Sequence, residues 1–508
     1  MAFRWAPSRS PAIGRSGHQT LRYLVERNKR RPIGECFMRS IALLLTCTAL
    51  VGCSGPDVTE VKITDNADMV LEKVFTVSLS EPAPLAIRCV RDDLDSEVHL
   101  VESTDEATEH VLHVQGLVAD TSYTCDVAPI ADRATPSQGA FETDSLPDEI
   151  PSATAVSNGE PGAAYTFVPH QLLATGETTI RLVLMDNEGE VRWYYPLPIE
   201  GYADMGAEYW GDGLFLWGGV SGSSAGEGVP HLVDVSHNQY YRADYENASD
   251  AYFHHMTEKQ YDGTVVTLVE ADAVSDGRWY YGFEVHQVDV DQDELVWSWG
   301  LQEGLDNGGP EVGDANWAGI MVDETGQETM VISVCEGQGV IGVDMTTREV
   351  AWSLADGWGS LELTEGDFPR IQHGLDIDGD RILLYDNGAV PTTRAVEYEI
   401  DAGSGTATQT WSWTEDGFQE DWGWGDVDYL GDSRVVITKG HLPDWGGDGP
   451  SEVIEVDKSD GTVVWRLSFT DELDAIYSAD RIDGCALFSE TSRCSALADR
   501  LDELSSWF

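Results

Sequence analysis

Histidine and arginine recur in this chain at one kind of position, in short segments that lead into a β-strand and stand about 50 to 60 residues apart. "YFHHMTEKQYDGTVVTL" carries His254 and His255, and "GDANWAGIMVD" carries Asp314 and Asn316. "FPRIQHGLDIDGDRILL" carries Arg370 and His373, and Arg394 opens the strand "RAVEYEID". "GWGDVDYL" carries Asp426, and "VVITKGHLP" after it carries Lys439 and His441. Gathered at one place, His and Arg concentrate positive charge in a strongly acidic protein and form an anion site. A single His on a strand more often serves the fold, and His99, His110, His113, His231 and His237 are read that way.

What gathers such distant residues is repetition. Past residue 150 a unit recurs in which a strand ends in Asp, a polar turn follows, and the next strand carries an aromatic, as in "LMDNEGEVRWYY", "GVDMTTREVAWSL" and "EVDKSDGTVVWRL". The Asp residues are 186, 234, 289, 344, 401 and 457, spaced by 48, 55, 55, 57 and 56. A unit of this length with short strands and Gly-bearing turns has the size of one propeller blade, so residues 150–508 read as a six-bladed β-propeller in an all-β chain. Each Asp is expected to close its turn on backbone amides, and each aromatic to pack between blades. Propeller symmetry points the entry segments of separate blades at one axis. Helical periodicity is nearly absent, which argues against a TIM barrel.

Residues 57–147 alternate apolar and polar side chains in short runs. "GLVADTSYTCDV" is similar to the late strands of a fibronectin type III or immunoglobulin-like sandwich, and "TDSLPDEIPSATAV" then reads as a linker. Residues 1–53 read as an N-terminal extension and lipoprotein signal: Met38-Arg39, an apolar run, then Leu50-Val51-Gly52-Cys53 with Cys53 as the lipidated residue. The apolar run is shorter than the ~20 residues a spanning helix needs. These features place the chain at the cell envelope, anchored by lipid on the outer membrane. In that oxidising compartment the economical disulfides are Cys89 with Cys125 and Cys485 with Cys494, leaving Cys335 as a buried strand thiol.

Thirty Lys/Arg against 90 Asp/Glu give a formal charge of −60, which repels nucleic acid and anionic membrane surfaces. P-loop and HExxH motifs are missing, and no compact spacing marks a metal site or cofactor. "VDVDQDE" lacks the twelve-residue calcium loop pattern and reads as a solvated turn.

At these residues the chain resembles the bacterial arylsulfate sulfotransferases, over roughly residues 155 to 485. The resemblance runs through "TTIRLVLMDNEGEVRWYY", "HHMTEKQYDGTVVTL", "QHGLDIDGDRILLYDNG" with "RAVEYEID", and "SEVIEVDKSDGTVVWRL". It implies a small sandwich ahead of a six-bladed propeller. It also implies sulfuryl transfer from a phenolic sulfate donor to a phenolic acceptor through a sulfohistidine, without a nucleotide donor. His254 or His255 and His373 fall on the family's histidines, and Arg394 or Arg370 would offset charge on the sulfuryl oxygens. Two positions depart from the family. Asp314-Ala315-Asn316 stands where many members carry His-x-Asn, and the last-blade nucleophile has His441 as its candidate. The competing readings are a non-catalytic envelope propeller that binds a ligand or protein partner, and, further off, a quinone-dependent dehydrogenase. A homodimer is compatible with any of these.

Overall fold

A computed structural model describes residues 55–508 apart from 132–134, 173–178, 201–204, 221–224, 276–277, 308–310, 336, 389–392, 416–423, 441–449, 472 and 506–507. Among the described residues the chain is nearly all β, with two short α-helices, Leu301–Asp306 and Ser495–Leu504. No described helix is long and apolar enough to cross a membrane. Cys53 and His441 lie outside the described residues.

From Tyr165 onward the described strands form six sheets in chain order, antiparallel apart from the short strand Glu362–Leu363, which pairs parallel with Thr406–Trp413, in a propeller-like succession. The first contains Tyr165–Leu172, Thr179–Asp186 and Val191–Glu200, and the C-terminal strands Asp474–Ile476 and Asp480–Ile482 complete it. The other five begin with Gly206–Gly211, Phe253–Lys259, Trp317–Val322, Gln372–Asp378 and Asp426–Leu430. These first strands lie against one another in succession, and Gly206–Gly211 also lies against Asp480–Ile482, so they surround a common axis. Second strands such as Arg381–Asp386 (RILLYD) and Arg434–Lys439 (RVVITK) are continuous apolar runs because neighbouring sheets cover both their faces. Ala153–Ser157, the end of the segment expected as a linker, pairs with Val463–Phe469 as a fifth strand of the sixth sheet.

The repeated Asp does what its position suggests. Asp186, Asp234, Asp289, Asp344, Asp401 and Asp457 each end a strand, and each accepts a backbone N–H from its own turn at 2.8 to 3.0 Å. The repeated aromatics then latch each turn to the sheet before it. Trp193 Nε1 donates to the Val235 carbonyl, Trp297 to Met345, Trp413 to Gly461 and Trp465 to Asn187, at 2.9 to 3.1 Å. Between the second and third sheets Tyr241 donates to Asp293 at 2.8 Å. Between the fourth and fifth, Trp352 is buried in one cluster with Ile400 and Ala407. Trp465 to Asn187 joins the sixth sheet to the first.

The N-terminal region, expected as a two-sheet sandwich, is one hydrogen-bonded sheet of five antiparallel strands. Its 23-residue strand Met69–Arg91 pairs with Val58–Asn66, Leu94–Val114 and Ser122–Pro129 along its length. Both expected disulfides form, Cys89–Cys125 across this sheet and Cys485–Cys494 ahead of the C-terminal helix. Cys335 sits half-buried in the turn just past Glu328–Val334, not within the strand. After the first sheet is completed, the chain returns to the N-terminal region: Arg500 bonds Glu102, and Leu504 packs with Ala86 and Leu100.

Arg192 fastens the two regions. Fully buried, it donates to Asp186 Oδ2 at 2.7 Å, to Glu97 Oε1 at 2.9 Å and to the Gly116 carbonyl at 3.0 Å. Without the guanidinium, Asp186 would retain Arg493 and Glu97 would retain Arg91, but each buried carboxylate would lose its closest cation, so Arg192→Met should lower unfolding free energy by up to about 3–5 kcal/mol. A shift of the urea midpoint checks this, and an unchanged midpoint contradicts it.

Candidate active site

The histidines enter through broken strand pairing. Phe253–Lys259 pairs in register at His254, skips His255 and Met256, and resumes at Thr257. His255 takes φ 60°, the left-handed region. Gln372–Asp378 skips Gly374 between His373 and Leu375, again with positive φ, 55°. A Cβ at position 374 would fall 2.5 Å from Asp426 Oδ1 and 2.7 Å from Asp426 Cα, so glycine is required there. Bulges of this kind re-aim side chains next to functional sites.

His255 and His373 converge on Tyr477, which lies between the two C-terminal strands and is fully buried. Their ring centroids stand 6.3 and 6.4 Å from the phenol ring. Trp317 stacks on the same ring at 5.5 Å and Trp424 meets it edge-on at 5.8 Å. Histidines from the third and fifth sheets thus share an aromatic wall of the kind that suits a phenol.

Each histidine has a definable state. His373 Nδ1 lies 2.8 Å from Asn387 Oδ1, and Asn387 Nδ2 donates to the Trp424 carbonyl at 3.2 Å. Because the amide nitrogen is committed to a carbonyl, its oxygen faces His373 and accepts the Nδ1 proton. In the neutral ring the lone pair of His373 then resides on Nε2. His254 and His255 face each other through Nδ1 at 2.5 Å, so one donates and the other accepts. Burial holds both neutral, pushing His254 well below the usual imidazole range and His255 down to about 4. His254 Nε2 lies 3.9 Å from Asp314 Oδ1. His254, His255 and Asp314 are the one close group of potential metal ligands among the described residues. The Nδ1–Nδ1 contact occupies one nitrogen of each ring, which favours proton sharing over joint metal binding.

The other expected residues surround this group. Asn316 donates to the Gln372 carbonyl at 2.6 Å and accepts from Ser333 at 2.9 Å, which anchors the strand that carries His373. Arg394 spends its guanidinium on Asp386, Gln409, Tyr398 and the carbonyls of Asp367 and Phe368. The exposed Arg370 contributes its backbone N–H to Asp386 Oδ1 at 3.1 Å. Both arginines thus brace Asp386, the neighbour of Asn387. Lys439 Nζ lies 3.9 Å from Glu452. Of the histidines read as structural, His231 stacks on Trp217 at 3.9 Å, and His110 bonds the Ala83 carbonyl.

Three residues beyond each of His255, His373 and Tyr477 stands a carboxylate: Glu258, Asp376 and Asp480. With Glu208, Asp426 and Asp428 they line an axial cavity of about 230 Å³ that also touches Thr257, Trp317 and Ser478. Burial raises every one of these carboxyls, Glu208 to about 8 and Asp480 to about 6. Repulsion within the group adds to this, as between Glu258 and Glu208. Sequence reading passed over Asn387, Tyr477 and most of these acids. The available signal was the three-residue offset from His255 to Glu258 and from His373 to Asp376.

Residues 154–478 match the family model described as Arylsulfotransferase (ASST). No curated protein matches the chain. Among solved structures, the periplasmic gluconolactonase PpgL of Pseudomonas aeruginosa is 15% identical, covering 59% of this chain and 81% of its own, with a TM-score of 0.30. The Cps50 (Swd1) β-propeller domain of Myceliophteria thermophila is 11% identical, covering 78% and 99%, with a TM-score of 0.30. Hsv2 of Kluyveromyces lactis is 9% identical, covering 76% and 96%, with a TM-score of 0.27. Likeness at these scores carries nothing further.

A carboxyl raised in the fold keeps its proton where the unfolded chain has lost it. The stability these groups contribute is therefore full below the ordinary carboxylate range and is lost as pH rises through 6 to 8. In metal-free buffer the thermal midpoint should fall between about pH 5 and pH 8. A midpoint that rises over this span contradicts the axial acids' burial.

Proposed function

Because the chain belongs to the arylsulfotransferase family, we propose that it moves a sulfuryl group from a phenolic sulfate ester to a phenol through a sulfohistidine at His373. The observation that carries this reading is the Asn387 contact, which leaves the His373 lone pair on Nε2. In the first half-reaction Nε2 attacks sulfur, the S–O bond to the donor ring breaks, and the donor leaves as phenolate. In the second, the acceptor oxygen attacks sulfur, the S–N bond breaks with its electron pair returning to Nε2, and the acceptor proton passes by way of His255 to the donor phenolate or to solvent, which restores the neutral pair. Trp317, Trp424 and Tyr477 would hold the aromatic rings. With both members of the His254–His255 pair neutral at physiological pH, no imidazolium is ready to protonate the leaving oxygen. Donors of more acidic phenols should therefore react faster.

The same reading takes the six successive sheets as the blades of one closed propeller, supported by the Trp465–Asn187 latch. It takes the N-terminal sheet as a fibronectin-like sandwich folded on itself. It takes Cys53 as the lipid anchor of an envelope protein, supported by the apolar run before it and by the two disulfides. A homodimer remains compatible with it.

The test is release of nitrophenol from 4-nitrophenyl sulfate by the chain lacking residues 1–53, with phenol as acceptor. Release should depend on acceptor and vanish in His373→Ala. Asn387→Leu should lower kcat on the order of a hundredfold or more with little change in KM, because the wrong tautomer becomes available. If folded protein releases nothing across several acceptors, a binding propeller replaces the enzyme reading.

A further inference from the structure

The carboxylates below the histidines form a structure of their own. Glu208, Glu258, Asp376, Asp428 and Asp480 come from the second, third, fifth, sixth and first sheets, and Asp426 joins them from the sixth. A fold gains nothing by directing six acids at one cavity, since each is desolvated and each repels the others. The nearby cations do not answer them all. Lys259 lines the cavity with its ammonium on the Trp210 carbonyl, and Arg481 is directed at Thr166, Asn187 and Ala163. Hydrogen bonds satisfy some of the oxygens: Trp317 Nε1 donates to Glu258, Lys259 N–H to Glu208 at 2.7 Å, and Tyr429 N–H to Asp376 at 2.8 Å. Tyr209 N–H donates to Asp480 at 2.9 Å. These contacts fix the side chains and leave further lone pairs on each carboxylate.

A second observation is independent of the acids. Ser478, 3% exposed, lines the same cavity, and its Oγ has no hydrogen-bond partner. A buried hydroxyl left unsatisfied beside a polar cavity points to a group that belongs there.

We propose that the axial cavity is a binding site for one hydrated divalent cation of the hard, oxygen-seeking class, Mg²⁺ or Ca²⁺, held by Glu258, Asp376, Asp428 and Asp480 with Ser478. The donors are all oxygens, which selects this class over zinc or copper. No three of the carboxylates bring oxygens within 4.8 Å of one another, so the ion keeps part of its water shell. The cavity volume of about 230 Å³ has room for it. The ion offsets the repulsion and binds four strands from separate sheets around the axis, where Glu258, Asp376 and Asp480 each stand three residues past His255, His373 and Tyr477. Its role is architectural, and it stands whether or not the chain transfers sulfuryl groups.

The experiment is calorimetric titration of chelator-treated protein with Mg²⁺ and with Ca²⁺, in high salt so that the −60 surface charge is screened. One equivalent should bind and raise the thermal midpoint. The double variant Glu258→Gln, Asp428→Asn should bind none, while its metal-free midpoint matches or exceeds that of the native chain, because two desolvated carboxyls that repel their neighbours when ionised are gone. Ser478→Ala should fold and weaken binding by about tenfold. If the double variant does not fold, Ser478→Ala decides. Binding that disappears in high salt, or that is the same in native and variant proteins, overturns the proposal. Preference for one of the two ions identifies the occupant.

Discussion

The interruption of β-pairing on the axial strands is the constraint on which the functional architecture rests. In an unbroken strand, side chains alternate, and residues three apart face opposite sides. Extra residues at His255–Met256 and at Gly374 break that alternation, so that a histidine and the acid three residues later both face the axis. The result is two levels. Imidazoles and aromatic rings form one around Tyr477, and carboxylates form the other beneath it. The positive φ of His255 is backbone strain of the kind retained at functional sites, whereas Gly374 adopts its positive φ at no steric cost.

The remainder of the molecule holds those strands in place. Asp-capped turns fix the ends of the third strands, and indole N–H groups join four of the six turns to the preceding sheet. Both interactions are made on strands other than the axial ones that carry the histidines and acids. Arg192 and the C-terminal helix then tie the N-terminal sheet to the start and finish of the repeat region.

Much of this was legible in the sequence because it is local or periodic. Asp186 through Asp457 announce their turns within a few residues, and the recurring aromatics mark the latches. The disulfides followed from counting cysteines. Convergence of His255 and His373 followed from repeat symmetry. Less accessible was whatever depended on register or on third partners. Asn387 sits in a "DNG" turn that reads as ordinary turn chemistry, yet it sets the His373 tautomer. Tyr477 lies past the last full repeat, where periodicity no longer helps. The axial acids are concealed by composition, six among 90 Asp and Glu. Arg394 has the charge expected of an anion ligand, while its geometry makes it a brace for Asp386.

The claim at the centre is that His373 Nε2 is the atom that accepts the sulfuryl group. Incubating the protein with 4-nitrophenyl sulfate without acceptor, digesting at alkaline pH, and weighing the peptides by mass spectrometry addresses it directly. The account predicts one added SO₃ on the peptide containing His373, lost when phenol is supplied. Turnover with that peptide unmodified, or modification on His254, His255 or His441 instead, would contradict it.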